Sequence, residues 1–303
     1  MSRTPRDHFV PKAYLRGFTR EYLTDERGGE LFVYRSGNRI AKRLGINDYV
    51  ACEPEFYDNH PIDKHWSQTI EQRWPKVRSA LKEKDLSSEI LDDLFWFVAA
   101  QFIRTHRVMD QIARHLSLKA AKRKRVMLDG REVDGLFVGM ADTGEVMEYV
   151  AEAWPQGRLI LEQDYSWTVH HNDRAFLFLT SDDPCQWVLS TEAVIMPLAL
   201  DMALVGEIIQ PGERRDFRHT HARLEAIRRI NRVTVQGCKS FVYSHEETPE
   251  IGRFIERNHV ERDVTLGGRG FDNIGKSMTD EEIERIMRHF TALRERERNA
   301  QKV

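Results

Sequence analysis

The chain has 303 residues, enough to bury about three-quarters of its unfolded surface and to build a core without disulfides or a structural metal. Apolar residues make up 41% and charged residues 31%, and 46 Lys and Arg nearly balance 48 Asp and Glu, so no global field draws in nucleic acid or anionic lipid. Cys52, Cys185 and Cys238 are too few and too scattered for a disulfide framework and suit a reducing cytoplasm; Met1–Asp7 lacks a secretion signal, and no run nears the ~20 apolar residues that span a membrane.

The first sixty residues carry one clear strand signal, Leu31-Phe32-Val33-Tyr34, with turn residues on both sides. From Asp63 to about Lys84, Trp66, Ile70, Trp74, Val77 and Leu81 recur at three- and four-residue steps. That spacing predicts a helix, kinked or split at Pro75. Ser87-Ser88-Glu89 reads as a helix start, and the apolar run Leu94–Ala100 predicts one core helix from Ile90 to about Leu116. A shorter helix is expected from Glu145 to Trp154, ended by Pro155 and Gly157. Beyond it, Leu159–Leu161, Trp167–Val169, Ala175–Leu179, Val194–Met196 and Ala203–Val205 predict a mostly antiparallel sheet. Helix is expected again from His219 to Val235, from Pro249 to Asn258, and from Thr279 to the end. This grouping is α+β: one integrated domain over 1–303, its helical N-terminal half packed on the sheet, with a helical C-terminal extension over 245–303.

Several chemistries find no support. There is no Cys-x-x-Cys, and no two histidines stand three or four apart, so zinc is not expected. His219-Thr220-His221 would aim two imidazoles the same way if extended, but it reads first as a solvated helix start. Gly270–Ser277 satisfies Gly-x4-Gly-Lys-Ser, yet a loop precedes it and the next helix starts at Thr279, so nucleotide binding is not expected. Lys119, Lys122, Arg123, Lys124 and Arg125 offer a weak contact to nucleic acid. With no aromatic residue interleaved, the run reads more simply as a charged helix end.

Three features remain. His8 stands before Phe9-Val10-Pro11, where Pro11 holds Val10 extended and Phe9, Tyr14, Leu15 and Phe18 can pack inward. Its imidazole is thus anchored; the plain alternative is a capping histidine. Gln101 and Arg104 lie on a polar stripe with Val108, Gln111 and His115 along the core helix. A buried Arg104 must meet a carboxylate, as in a structural ion pair, or a bound anion. Asp182 and Asp183, in Thr180-Ser181-Asp182-Asp183-Pro184, follow an expected strand end, where a carboxylate pair either builds a site or makes a plain turn.

These features carry a resemblance. His8-Phe9-Val10-Pro11-Lys12-Ala13-Tyr14-Leu15-Arg16-Gly17-Phe18 is similar to the opening of the bacterial family catalogued as domain of unknown function 4238. The likeness continues through Leu31–Tyr34, Glu55-Phe56-Tyr57, Ile70-Glu71, Gln101-Phe102-Ile103-Arg104-Thr105 and Thr180–Pro184. It ends with Met196-Pro197-Leu198, Asn231 and Ser240–Tyr243, spanning about residues 7 to 244. Asp183 departs from the Asn more usual at that place. The resemblance implies a shortlist of residues and no reaction.

The residue types on that shortlist suggest a metal-dependent phosphodiester hydrolase, nuclease-like. In it Asp182, Asp183 and Glu71 would hold Mg2+ or Mn2+, His8 would act as general base, and Arg104 would stabilise phosphate charge. Tyr14 and Gln101 would support them. The alternative is a non-catalytic binding or regulatory module whose polar groups lock the core. A working site must open to a pocket, with at least three of His8, Glu71, Arg104 and Asp182 around it; a structural network would be sealed. No pattern in the chain specifies an oligomeric state.

Overall fold

The computed structural model describes residues 6–24, 29–46, 51–54, 56–57, 60–120, 122–128, 131–137, 141–188, 191–210 and 212–259. The Gly-Lys-Ser match at Gly270–Ser277 and the helix expected from Thr279 lie outside the described residues.

Strict alternation shapes the strand Tyr165–His171, which buries Tyr165, Trp167 and Val169 while the residues between them are only partly covered. It pairs in parallel with Phe217–His221 on one side and antiparallel with Met202–Ile208 on the other. Ala193–Ala199 and Gln186–Val188 complete five strands. Ala193–Ala199 is buried along its whole length, because structure covers both faces of the sheet there. A second, antiparallel sheet runs in the order Ala41–Gly45, Glu30–Arg35, Phe241–Ser244, Thr180–Ser181. Arg6–His8 forms a short ribbon with Cys52–Pro54. The architecture is α+β, with mostly antiparallel sheets. Among the described residues no helix is long and apolar enough to cross a membrane.

The core is aromatic around the helix Ser88–Ile103, where Trp74 stacks on Phe97 with ring centroids 3.9 Å apart. Pro75 sits in the first turn of the helix Trp74–Lys82, so the long helix expected over 63–84 is split there. Upstream, Pro61–His65 is α-helical and Trp66–Glu71 widens into a π-turn, which ends at Glu71.

Several expectations change. The helix expected over 90–116 is two helices, Ser88–Ile103 and His106–Ala120, so the polar stripe does not run on one rod. The break falls at Arg104-Thr105, where no Gly or Pro marks it; the buried contacts of Arg104 set it. The helix expected to stop at Trp154 runs over Thr143–Gln163, straight through Pro155 and Gly157, and includes the strand expected at Leu159–Leu161. Burial of Val146, Met147, Val150, Trp154 and Leu161 offsets the lost hydrogen bond at Pro155. Only Thr180–Ser181 forms a ladder after the apolar run Ala175–Leu179. Asn231 replaces the ladder before it: its side chain accepts from the Leu179 N–H at 2.9 Å and donates to the Leu177 carbonyl at 2.9 Å. Finally, His219–His221 lies in a strand, and the helix follows over Leu224–Gly237. The basic run at Lys119–Arg125 likewise leaves its helix at Ala120 and continues in the strand Lys122–Leu128.

Candidate functional site

Arg104 is 1% exposed, and each nitrogen of its guanidinium meets a different stretch of chain. Nε donates to the Tyr57 hydroxyl at 2.8 Å, Nη1 to the Glu71 carboxylate at 2.5 Å, and Nη2 to the His8 carbonyl. The guanidinium also lies over the Trp66 ring, 5.3 Å from its centroid. Burial opposes the charge, but Tyr57 and Glu71 outweigh it and hold the group protonated. His8 thus enters through its backbone. Its imidazole is held neutral, its pKa lowered to about 4 by burial, with Lys12 and Arg104 adding repulsion.

Each member of Thr180-Ser181-Asp182-Asp183 is tied to the protein itself. The Thr180 hydroxyl meets the Tyr14 hydroxyl at 2.7 Å, and Tyr14 donates at 2.6 Å to the Pro197 carbonyl. Ser181 donates to the Asp183 carbonyl at 2.7 Å. Asp182 accepts the backbone N–H groups of Lys239, Ser240 and Phe241 at 2.8, 2.7 and 3.1 Å, and so fixes the turn that opens the strand Phe241–Ser244. Asp183 pairs with Arg107 at 2.9 Å, both side chains sealed from solvent. Arg107 also donates at 2.9 Å to Gln186, which lies so close to Gly237 that a Cβ there would fall 2.0 Å from the amide oxygen.

The structure therefore gathers His8, Glu71 and Arg104 and leaves Asp182 and Asp183 in two further centres. Asp182, Asp183 and Glu71, expected to hold a metal together, each meet donors of their own: backbone N–H groups, Arg107 and Arg104 in turn. Among the described residues no group of three or more His, Cys, Asp or Glu side chains is arranged to hold a metal ion. Asp182 is nonetheless a near neighbour of the N-terminal ribbon. It and Cys52, the cross-strand partner of His8, both act on the buried Tyr243 hydroxyl. Tyr14 serves the Thr180 centre rather than Arg104, and Gln101 is fully buried with no hydrogen-bond partner for its amide.

Beside the Arg104 centre a cleft of about 480 Å³ opens to solvent, lined by Asp7, Tyr57, His60, Pro61, Asp63 and Lys64. Asp7 accepts the Tyr57 N–H at 3.1 Å. Burial pushes the pKa of Asp63 up to about 6; Arg104 works against this, and Asp7 and Glu71 add to it.

A sequence model described as a protein of unknown function, DUF4238, matches residues 6–248. The chain belongs to this family. No curated protein and no solved structure matches it. Within the DUF4238 match lie Tyr57, Arg107, Gln186, Asp7 and Asp63, the site residues that sequence reasoning missed. The signal for Arg107 was present: it follows Arg104 by three residues, and the argument that a buried Arg needs a carboxylate applies to it equally. Asp7 and Asp63 carry no pattern, since only folding sets them around one opening.

Proposed function

We propose that this chain is a non-catalytic binding module whose buried ionic residues hold the fold, and whose recognition cleft lies between Asp7 and Asp63. The observation that carries this reading is the occupancy of the expected catalytic groups. Every nitrogen of Arg104 and both carboxylate oxygens of Asp182 are bound by the protein itself. A phosphate would have to displace those partners, which a preorganised site does not ask of it. The cleft has the size of a small-molecule site, and its two carboxylates suit a ligand with a cationic nitrogen, while Lys64 can meet an anionic group at the ligand's other end.

The test uses spermidine, arginine and lysine as probes in calorimetric titrations across pH. Binding should strengthen as pH rises through about 6, because a cation needs Asp63 ionised. Asp63→Asn should abolish that dependence. No uptake of any probe, or uptake unchanged in Asp63→Asn, contradicts the assignment.

The second reading is the Mg2+- or Mn2+-dependent phosphodiester hydrolase. What favours it is the convergence of His8, Glu71 and Arg104 beside an open cleft. Cleavage of single- or double-stranded nucleic acid with Mg2+ or Mn2+, lost on Glu71→Gln in a folded variant, would establish it in place of the first.

A further inference from the structure

The strand Phe217–His221 and the strand Tyr165–His171 run in parallel, with His219 opposite Val169 and His221 opposite His171. Residues two apart on a strand share a face, and directly paired residues share it across strands. His171, His219 and His221 therefore stand on one face, beyond the buried Val169. His171 Nε2 is 2.7 Å from His219 Nδ1, their rings inclined by 30° with centroids 5.0 Å apart, and the His221 ring lies 6.3 Å from that of His171. The other ring nitrogen of His219, Nε2, is buried and has no hydrogen-bond partner.

We propose that His171, His219 and His221 form a binding site for a late first-row divalent metal ion at the edge of the five-stranded sheet. Imidazole is the ligand such ions favour, and three from two paired strands leave an open position for water. All three must be neutral to bind. Asp201, whose charge acts on His171, is itself fixed by the Tyr22 hydroxyl and Lys82, each at 3.1 Å.

As it stands the cluster is not a ligand set, as holds for every group of three or more His, Cys, Asp and Glu side chains among the described residues, so binding requires a rearrangement of the rings. Two nitrogens bound tetrahedrally at 2.0–2.1 Å stand about 3.3 Å apart. The present 2.7 Å contact must open by a small rotation of one ring, and the imidazole that donates this hydrogen bond must pass to its other tautomer, its proton moving to the second ring nitrogen, before both nitrogens can bind the metal. The site shares no residue with the cleft of Asp7 and Asp63, so Asp63→Asn should leave metal uptake unchanged and the two readings fail separately.

The test takes the full chain, stripped with a chelator, and titrates it with Zn2+ and separately with Co2+. The expected result is one equivalent of Zn2+, ligand-field absorption with Co2+, and zinc-induced imidazole nitrogen shifts at His171, His219 and His221. His219→Gln combined with His221→Gln should weaken uptake about 100-fold. No uptake by the wild-type chain, or uptake unaffected by the double substitution, overturns the proposal. If that variant does not fold, the wild-type imidazole shifts decide: shifts at these three residues support the site, and shifts at other histidines alone refute it.

Discussion

At the scale of single residues, Arg104 illustrates how a buried charge becomes structural once every donor finds an acceptor. Its partners come from the N-terminal ribbon, from Tyr57 and from the π-turn that ends at Glu71, so one side chain joins three stretches of chain. Removing the cation strands the Glu71 carboxylate against Tyr57. Arg104→Met should therefore cost about 3–5 kcal/mol, read as a lower denaturation midpoint. Converting Glu71 to Leu in the same chain should recover part of that loss, since it removes the stranded charge. An unchanged midpoint in Arg104→Met would show that the pair carries no stability. Sequence reasoning required a carboxylate for Arg104 but did not single out Glu71 as that partner, because helical spacing says nothing about contacts between residues 33 positions apart.

At the scale of elements, local signals hold where tertiary packing agrees with them and yield where it does not. Pro75 splits its helix as expected, because it occupies a first turn that asks for no N–H. Pro155 does not end its helix, because five buried side chains on that helix face the core. Pro155 itself is exposed, so its ring contributes little packing. Pro155→Ala should restore the hydrogen bond to the Ala151 carbonyl and stabilise the protein by about 1–3 kcal/mol, seen as a raised Tm. A fall in Tm would show that the proline ring itself is needed at this position. Phe217–His221 makes the same point in a strand. Alone it reads as a helix start, and its pairing with Tyr165–His171 gives it an extended backbone.

At the scale of the whole molecule, buried titratable groups set how stability depends on pH. Burial, with Lys239 adding repulsion, lowers the pKa of His106 to about 4 where its ring packs against Phe9 and Phe56. The unfolded chain accepts this proton from about pH 6.5 downward while the folded chain resists it. Stability carried by the neutral ring is thus complete above pH 6.5 and lost as pH falls toward 4. Asp182, pushed up to about 7 by burial, acts with the opposite sign: its contribution is complete below pH 3.8 and lost as pH rises through 7. The Tm deficit of His106→Asn relative to wild type should accordingly shrink between pH 7 and pH 4.5, and a deficit that grows on acidification would reverse the assignment. The α+β class, the core positions around Trp74 and Phe97, the split at Pro75 and the strands at Leu31–Tyr34, Trp167–Val169, Val194–Met196 and Ala203–Val205 were determined by the sequence itself, because periodicity and turn chemistry act over a few residues. Tertiary structure alone decided that Asp182 would cap a turn, that Asp183 would meet Arg107, and that three histidines would share one sheet face. Those pairings join residues tens of positions apart, and only burial, by making each unpaired charge costly, selects a partner for it.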